Sequence, residues 1–142
     1  MVTNPVKYLF DTCVFIDYLR GPNYRPQARA AWRFVQQAFN GDINAGISPI
    51  TDLELWCGVR DRVDEKRHKQ LLSRFRRYQF NTSIARRSGE LFKPYILPTA
   101  PMKPSIPDII LVATAEYYNC TLLTSDTKHI PLFNGLVTIQ QY

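Results

Sequence analysis

Short apolar runs alternate along the chain with longer stretches whose apolar residues recur at helical spacing. Lys7 to Phe10 reads as a buried strand, and Thr12 to Leu19 as a helix stopped by Arg20-Gly21-Pro22. Ala28 to Phe39 has helical spacing through Trp32, Val35 and Phe39, and Asn40-Gly41 closes it. Ile43 to Ile47 reads as a second strand. Ser48-Pro49 then opens a helix through about Val59, and a charged helix follows from about Val63 to Phe75. Tyr78 to Phe80 predicts a third strand and Thr82 to Tyr95 a further helix. The prolines between Leu97 and Pro107 predict a loop. Pro107 suits a first helical position, with Ile106 near the cap and the helix reaching about Tyr118. Thr121 to Thr124 and Leu136 to Ile139 complete the strands. Strands alternating with helices predict an α/β fold with a central parallel, doubly wound sheet, in one domain over residues 1–142.

Four acids stand at the ends of these elements. Asp11 ends Tyr8-Leu9-Phe10, Glu54 lies in Ile50-Thr51-Asp52-Leu53-Glu54-Leu55, Asp108 opens Ile109-Ile110-Leu111-Val112-Ala113, and Asp126 ends Leu122-Leu123-Thr124-Ser125. In an open α/β sheet, carboxylates at equivalent element ends converge on one cleft. Carboxylates without His or Cys partners suit a hard cation such as Mg²⁺ or Mn²⁺. Each acid also has a structural explanation. Asp11 is equally a helix cap, Asp108 complements a helix dipole, and Asp126 is a turn residue. Glu54 shares a helical side with Ile50, Leu53, Cys57 and Gly58, while Asp52 points away with Trp56 and Val59. Both sides carry apolar residues, so the buried side stays open. Asp17, Asp42, Asp61, Asp64, Glu65, Glu90 and Glu116 read as solvated or ion-paired residues.

Composition narrows the field. Hydrophobic residues at 45% and charged residues at 21% describe a globular chain, not a disordered one. A formal net charge of +6 around an acidic pocket is consistent with a polyanionic partner. Arg60, Arg62, Lys66, Arg67, Lys69, Arg74, Arg76 and Arg77 concentrate that charge. They could neutralise phosphate, bind a protein partner, or form a solvated helix face pairing with Asp61, Asp64 and Glu65. Cys13, Cys57 and Cys120 form no CxxC pair, His68 and His129 complete no zinc pattern, and buried reduced thiols are expected. Neither histidine has a Ser or Cys partner motif, so metal-ion hydrolysis fits better than a nucleophilic triad. No apolar run approaches the roughly 18 to 20 residues of a membrane span, and Met1 to Lys7 lacks a signal-peptide core. A cytoplasmic protein is expected.

Four motifs in order resemble the PIN-domain ribonucleases, particularly VapC-like toxins of type II toxin–antitoxin pairs. Phe10-Asp11-Thr12 looks like the opening Asp-Thr/Ser motif. Ser48 to Gly58 is similar to a Ser-x-x-Thr-x-x-Glu-Leu-x-x-Gly motif. Asp108 to Ala115 matches the third motif, and Thr121 to Asp126 the fourth. The resemblance covers nearly the whole chain. Cys13 departs from the usual small polar residue, and the proline-rich approach to Asp108 is longer than the usual one.

The resemblance implies a three-layer α/β/α PIN-like domain acting as a Mg²⁺-dependent endoribonuclease toxin, with Mn²⁺ a possible replacement. Asp11, Glu54, Asp108 and Asp126 would be the catalytic acids. Asp11 and Asp108 would ligate the metal, and Glu54 and Asp126 would do so directly or through water. Thr12 and Thr124 match positions whose hydroxyls lie beside the acids, or they act as helix and turn caps. The implied partners are RNA, a small antitoxin and a second copy of the chain, the last through the helix side bearing Trp56 and Val59. Two alternatives remain: a PIN nuclease for RNA maturation or DNA, and a non-catalytic PIN-like module.

Overall fold

A computed structural model of the chain describes residues 5–97, 99 and 102–142. Strands β1 (Lys7–Phe10), β2 (Asn44–Ile47), β3 (Arg76–Arg77), β4 (Thr121–Thr124) and β5 (Ile139–Gln141) form one sheet in the order β3-β2-β1-β4-β5. Every pairing is parallel, with Leu9 opposite Gly46 on one side and Leu122 on the other. The helices are α1 (Thr12–Arg20), α2 (Pro26–Phe39), α3 (Pro49–Cys57), α4 (Arg62–Leu72), α5 (Thr82–Phe92) and α6 (Ile106–Tyr118).

Strand periodicity sorts the side chains into two cores. Leu9 and Leu122 face a cluster with Ile109, Val112, Ile130 and Phe133. Their neighbours Phe10 and Leu123 face the opposite cluster with Val14, Phe15, Val35, Leu71 and Phe75. Both faces are therefore covered, which is why the central strands are apolar throughout and the fold has three layers. The seven consecutive residues Ile109 to Ala115 of α6 are all buried, so this helix is apolar around its circumference.

The differences from the expected elements have local causes. The third strand is Arg76–Arg77 and not Tyr78 to Phe80; Tyr78 is buried just beyond it, its N–H bonded to the Ile47 carbonyl at 2.8 Å. Gly46 permits this close approach, since a Cβ there would stand 2.5 Å from the Tyr78 ring and 2.9 Å from the Arg76 carbonyl. The last strand lies at Ile139–Gln141, after a 3-10 turn at Ile130–Phe133 that covers one core. Helix α4 ends at Leu72, three residues early, and α2 begins at Pro26. The cap of α6 is Ser105, with Pro107 at its second position. Residues 98, 100 and 101 of the expected proline-rich loop lie outside the described residues, and Met102 to Ser105 carries no regular element.

Candidate active site

Strand order reverses between β1 and β4, and the carboxyl ends of strands flanking such a reversal form the natural ligand crevice of an open α/β sheet. Asp11 directly follows β1, and Asp126 lies two residues beyond β4. Asp108 enters from the first turn of α6, and Glu54 projects from α3.

Asp11 occupies the N-cap position of α1, but its side chain makes no cap hydrogen bond. Its Oδ2 instead accepts the Thr124 hydroxyl at 2.7 Å, and the residue is only 9% exposed. Burial pushes its pKa up to about 6. The hydrogen bonds from Thr124 and Cys13 oppose that rise, and the charge of Asp108 adds to it. Capping therefore does not explain Asp11.

The other two acids fulfil their structural roles. Asp108 closes a capping box, accepting the Ser105 N–H at 3.1 Å while its own N–H bonds Ser105 Oγ at 3.2 Å. Asp126 accepts the backbone N–H of Lys128 on Oδ1 and those of His129 and Ile130 on Oδ2, at 2.8 to 3.1 Å. Burial alone would raise its pKa, but the N–H groups of Ile130, Lys128 and His129 outweigh burial and lower it.

Hydroxyls connect the acids. Thr124 Oγ1 donates to the Asp11 carboxylate and accepts the Asp126 backbone N–H at 3.0 Å, so one side chain links the two strand-end residues. Thr12 Oγ1 donates to Glu54 Oε1 at 2.8 Å and lies 3.0 Å from Thr51 Oγ1. Glu54 itself is exposed, and the buried side of α3 is that of Thr51 and Leu55. Donor atoms of Asp108, Asp126 and His129 all lie within 4.8 Å of one another. Asp11 is coupled to this group through the charge of Asp108, whereas Glu54 reaches it only through Thr12, the neighbour of Asp11.

Sequence reasoning passed over His129. Its signal was its place three residues after Asp126, where a carboxylate that gathers backbone N–H groups turns the chain back on itself. Asp17, expected to be solvated or ion-paired, is paired but not solvated. It is 2% exposed, holds Arg25 through a two-point ion pair at 2.6 and 2.7 Å, and accepts the Tyr142 hydroxyl at 3.0 Å. Arg25 also reaches Ser125 Oγ at 2.9 Å, beside Asp126.

A PIN domain family model matches residues 8–131. The chain belongs to the PIN domain family. Among solved structures, a toxin–antitoxin complex from Klebsiella pneumoniae contains a chain 30% identical, with a TM-score of 0.68 and coverage of 94% of this chain and 95% of that one. VapBC2 from Rickettsia felis, bound to a promoter DNA fragment, matches at 18% identity and TM-score 0.69, covering 96% and 99%. FitAcB from Neisseria gonorrhoeae matches at 22% and 0.66, covering 93% and 95%. A comparison with curated protein sequences finds no match. The likeness to VapC-like PIN toxins read from the four motifs is borne out in family and fold.

PIN domains are nucleases, and this one carries donors suited to a divalent cation. Two carboxylates and an imidazole converge, and beside them stands the Asp11 carboxyl, whose pKa is raised by burial and by the charge of Asp108. A cation there would reverse that penalty, so the residues fit the group. Beside Glu54 a groove of about 410 Å³ is lined by Arg20, Arg60, Arg67 and His68, with Ile16 and Leu19 on its wall. Several of the basic residues are engaged: Arg60 pairs with Asp64, Lys69 with Glu65, Arg77 with Asp52, and Arg67 donates to the Leu19 carbonyl. Of the thiols, Cys120 is buried, Cys13 is partly covered beside Thr124, and Cys57 is exposed, against the expectation that all three are buried. Among the described residues no helix is long and apolar enough to cross a membrane.

Proposed function

We propose that this PIN domain is a Mg²⁺-dependent endoribonuclease, with Mn²⁺ able to replace Mg²⁺, acting in the cytoplasm as the toxin of a toxin–antitoxin pair. The observation that carries the nuclease reading is Asp11: a buried carboxylate at a helix cap position that does not cap, coupled to Asp108 at the switch point of the sheet. The toxin reading is supported by the 30% identity to a chain of the Klebsiella pneumoniae complex over almost the full length of both.

Asp11 and Asp108 would hold the ion, with Asp126 and Glu54 binding directly or through water. A bound divalent ion supplies a water of lowered pKa and neutralises charge developing on the phosphate. Thr124 fixes the orientation of Asp11, and Thr12 fixes that of Glu54. The arginines of the adjacent groove offer phosphate contacts along a bound strand. Of the side expected to pair, Trp56 is 39% exposed on α3 and Val59 lies half-buried just beyond the end of the helix, which supports pairing with a second copy through Trp56. The same groove offers a binding place for the C-terminal segment of a small antitoxin, with a basic side chain directed at the acids.

Purified protein should cut RNA, stop in EDTA, recover with Mg²⁺ or Mn²⁺, and recover poorly with Ca²⁺, whose larger shell positions water less well. Undiminished cleavage in EDTA, with contaminating ribonuclease excluded, would overturn the metal mechanism. Expression of the protein alone should arrest growth, and co-expression of the adjacent small open reading frame should restore it. Unaffected growth, with no small partner copurifying, would favour RNA maturation instead. Light scattering that shows a monomer at micromolar concentration would reject the dimer.

A further inference from the structure

We propose that His129 is a protein donor to the divalent ion, alongside Asp108 and Asp126, and that its imidazole makes the site bind Mn²⁺ more tightly than Mg²⁺. The inference rests on the metal-dependent reading above and specifies which ion that site selects.

Three observations carry it. His129 Nδ1 stands 3.8 Å from Asp108 Oδ2, too far for a hydrogen bond. Two donors that share an ion at about 2.1 Å each stand roughly 3 to 4 Å apart, so the spacing suits joint ligation. Next, the backbone that carries the ring is held by several hydrogen bonds. Asp126 gathers the N–H groups of Lys128, His129 and Ile130, and the His129 carbonyl accepts the Leu132 N–H at 3.1 Å. The backbone bearing the imidazole is thereby tied to the same carboxylate that would share the ion. Finally, Asp126 spends two acceptor positions on Oδ2 and one on Oδ1, so it can offer the ion a single oxygen.

Imidazole discriminates between ions of similar charge. Mg²⁺ keeps an oxygen shell and gains little from nitrogen, whereas transition ions bind imidazole well. A PIN domain with only carboxylates would separate Mg²⁺ from Mn²⁺ weakly. With His129 in place the balance moves toward Mn²⁺, and further still toward Co²⁺ and Ni²⁺ along the affinity series.

The test is calorimetric titration of the purified full chain with Mn²⁺ and with Mg²⁺, together with pulsed paramagnetic resonance of bound Mn²⁺. Wild type should bind Mn²⁺ at least about tenfold more tightly than Mg²⁺ and show coupling to an imidazole nitrogen. In His129→Ala and His129→Gln the preference should fall by about tenfold, the nitrogen coupling should vanish, and Mg²⁺ affinity should change little. His129 is partly exposed, and a thermal melt checks that both variants fold. Mn²⁺ binding without nitrogen coupling, or a preference unchanged in the variants, would overturn the role of His129 and leave the metal-dependent nuclease standing. Failure of the wild type to bind either ion would overturn both.

Discussion

Asp11 and Asp126 follow neighbouring parallel strands, yet their surroundings drive the two carboxyls in opposite directions. Asp11 is enclosed by the junction of β1, α1 and β4, with one hydroxyl on Oδ2 and the negative charge of Asp108 nearby, and its pKa rises to about 6. Asp126 sits in an open turn where three N–H groups overcome its burial, and its pKa falls. One carboxyl is left needing a positive charge; the other is satisfied by backbone. Sequence position alone makes them look alike, and the packing around them separates a prospective ion ligand from a loop anchor that still has one oxygen to offer. Thr124 donates to the Asp11 carboxylate and accepts the backbone N–H of Asp126, so it links the two residues without touching the second carboxyl.

The largest expected effect falls on Asp11. If the proposed metal mechanism holds, Asp11→Asn and Asp108→Asn should each lower cleavage at least about 100-fold while the protein stays folded, because the lost charge would serve the ion more than the packing. Full activity in either variant, measured on a defined RNA, would remove these acids from the centre. Asp11→Asn should also stabilise the metal-free protein at neutral pH. A carboxyl whose pKa rises on folding favours the folded state while protonated. Its contribution is full below about pH 4 and is lost as pH climbs through about 6. The gap between 3.8 and about 6 corresponds to about 3 kcal/mol as an upper limit. The melting temperature of Asp11→Asn without metal should therefore exceed wild type at pH 7.5 and match it near pH 4. A gain of equal size at both values would contradict the assigned environment.

Asp126→Ala should behave in the opposite sense. Three charge-assisted backbone bonds disappear together, for a loss of roughly 2 to 3 kcal/mol at neutral pH in metal-free protein. Stability that rises in this variant would mean that Asp126, like Asp11, is a strained carboxylate. Asp17 sharpens the contrast as a third acid, equally buried but fully partnered. Asp17→Asn should cost about 2 kcal/mol in urea unfolding, kept modest because the Arg25 side chain is 36% exposed. A neutral result would show that the Asp17–Arg25–Tyr142 network contributes nothing to the fold. The smallest change is expected for Thr124→Val. It removes the hydroxyl that bonds the Asp11 carboxylate and the Asp126 backbone N–H, with about 1 kcal/mol lost in stability and roughly tenfold in metal affinity. Unchanged metal affinity would mean that the ion does not depend on the orientation of Asp11.

Much of this arrangement was legible in order but not in contact. Periodicity marked β1, β2, β4 and the body of every helix, because side-chain alternation and helical spacing are local properties. It misplaced β3 and β5, which are three residues long at most and lie at the sheet edges, where pairing partners and not local pattern decide which residues extend. The four acids were visible as ends of elements. Their structural alternatives were not separable there: Asp11 and Asp108 both precede or open a helix, and only the contacts show that Asp108 caps and Asp11 does not.

The sequence by itself determined an alternating α/β chain with apolar strands, carboxylates at strand and helix ends, and the motif order of a PIN domain. These follow from periodicity, capping preferences and spacing, all of which operate over a few residues. Only the tertiary structure decided that Asp108, Asp126 and His129 share one point, that Thr124 bridges to Asp11, and that Tyr142 closes on Asp17. Those contacts join residues as much as 125 positions apart along the chain. They exist because β4 inserts beside β1 in a parallel sheet, bringing both carboxyl ends to one edge. No local pattern encodes that pairing; it is set by which two apolar faces bury each other best.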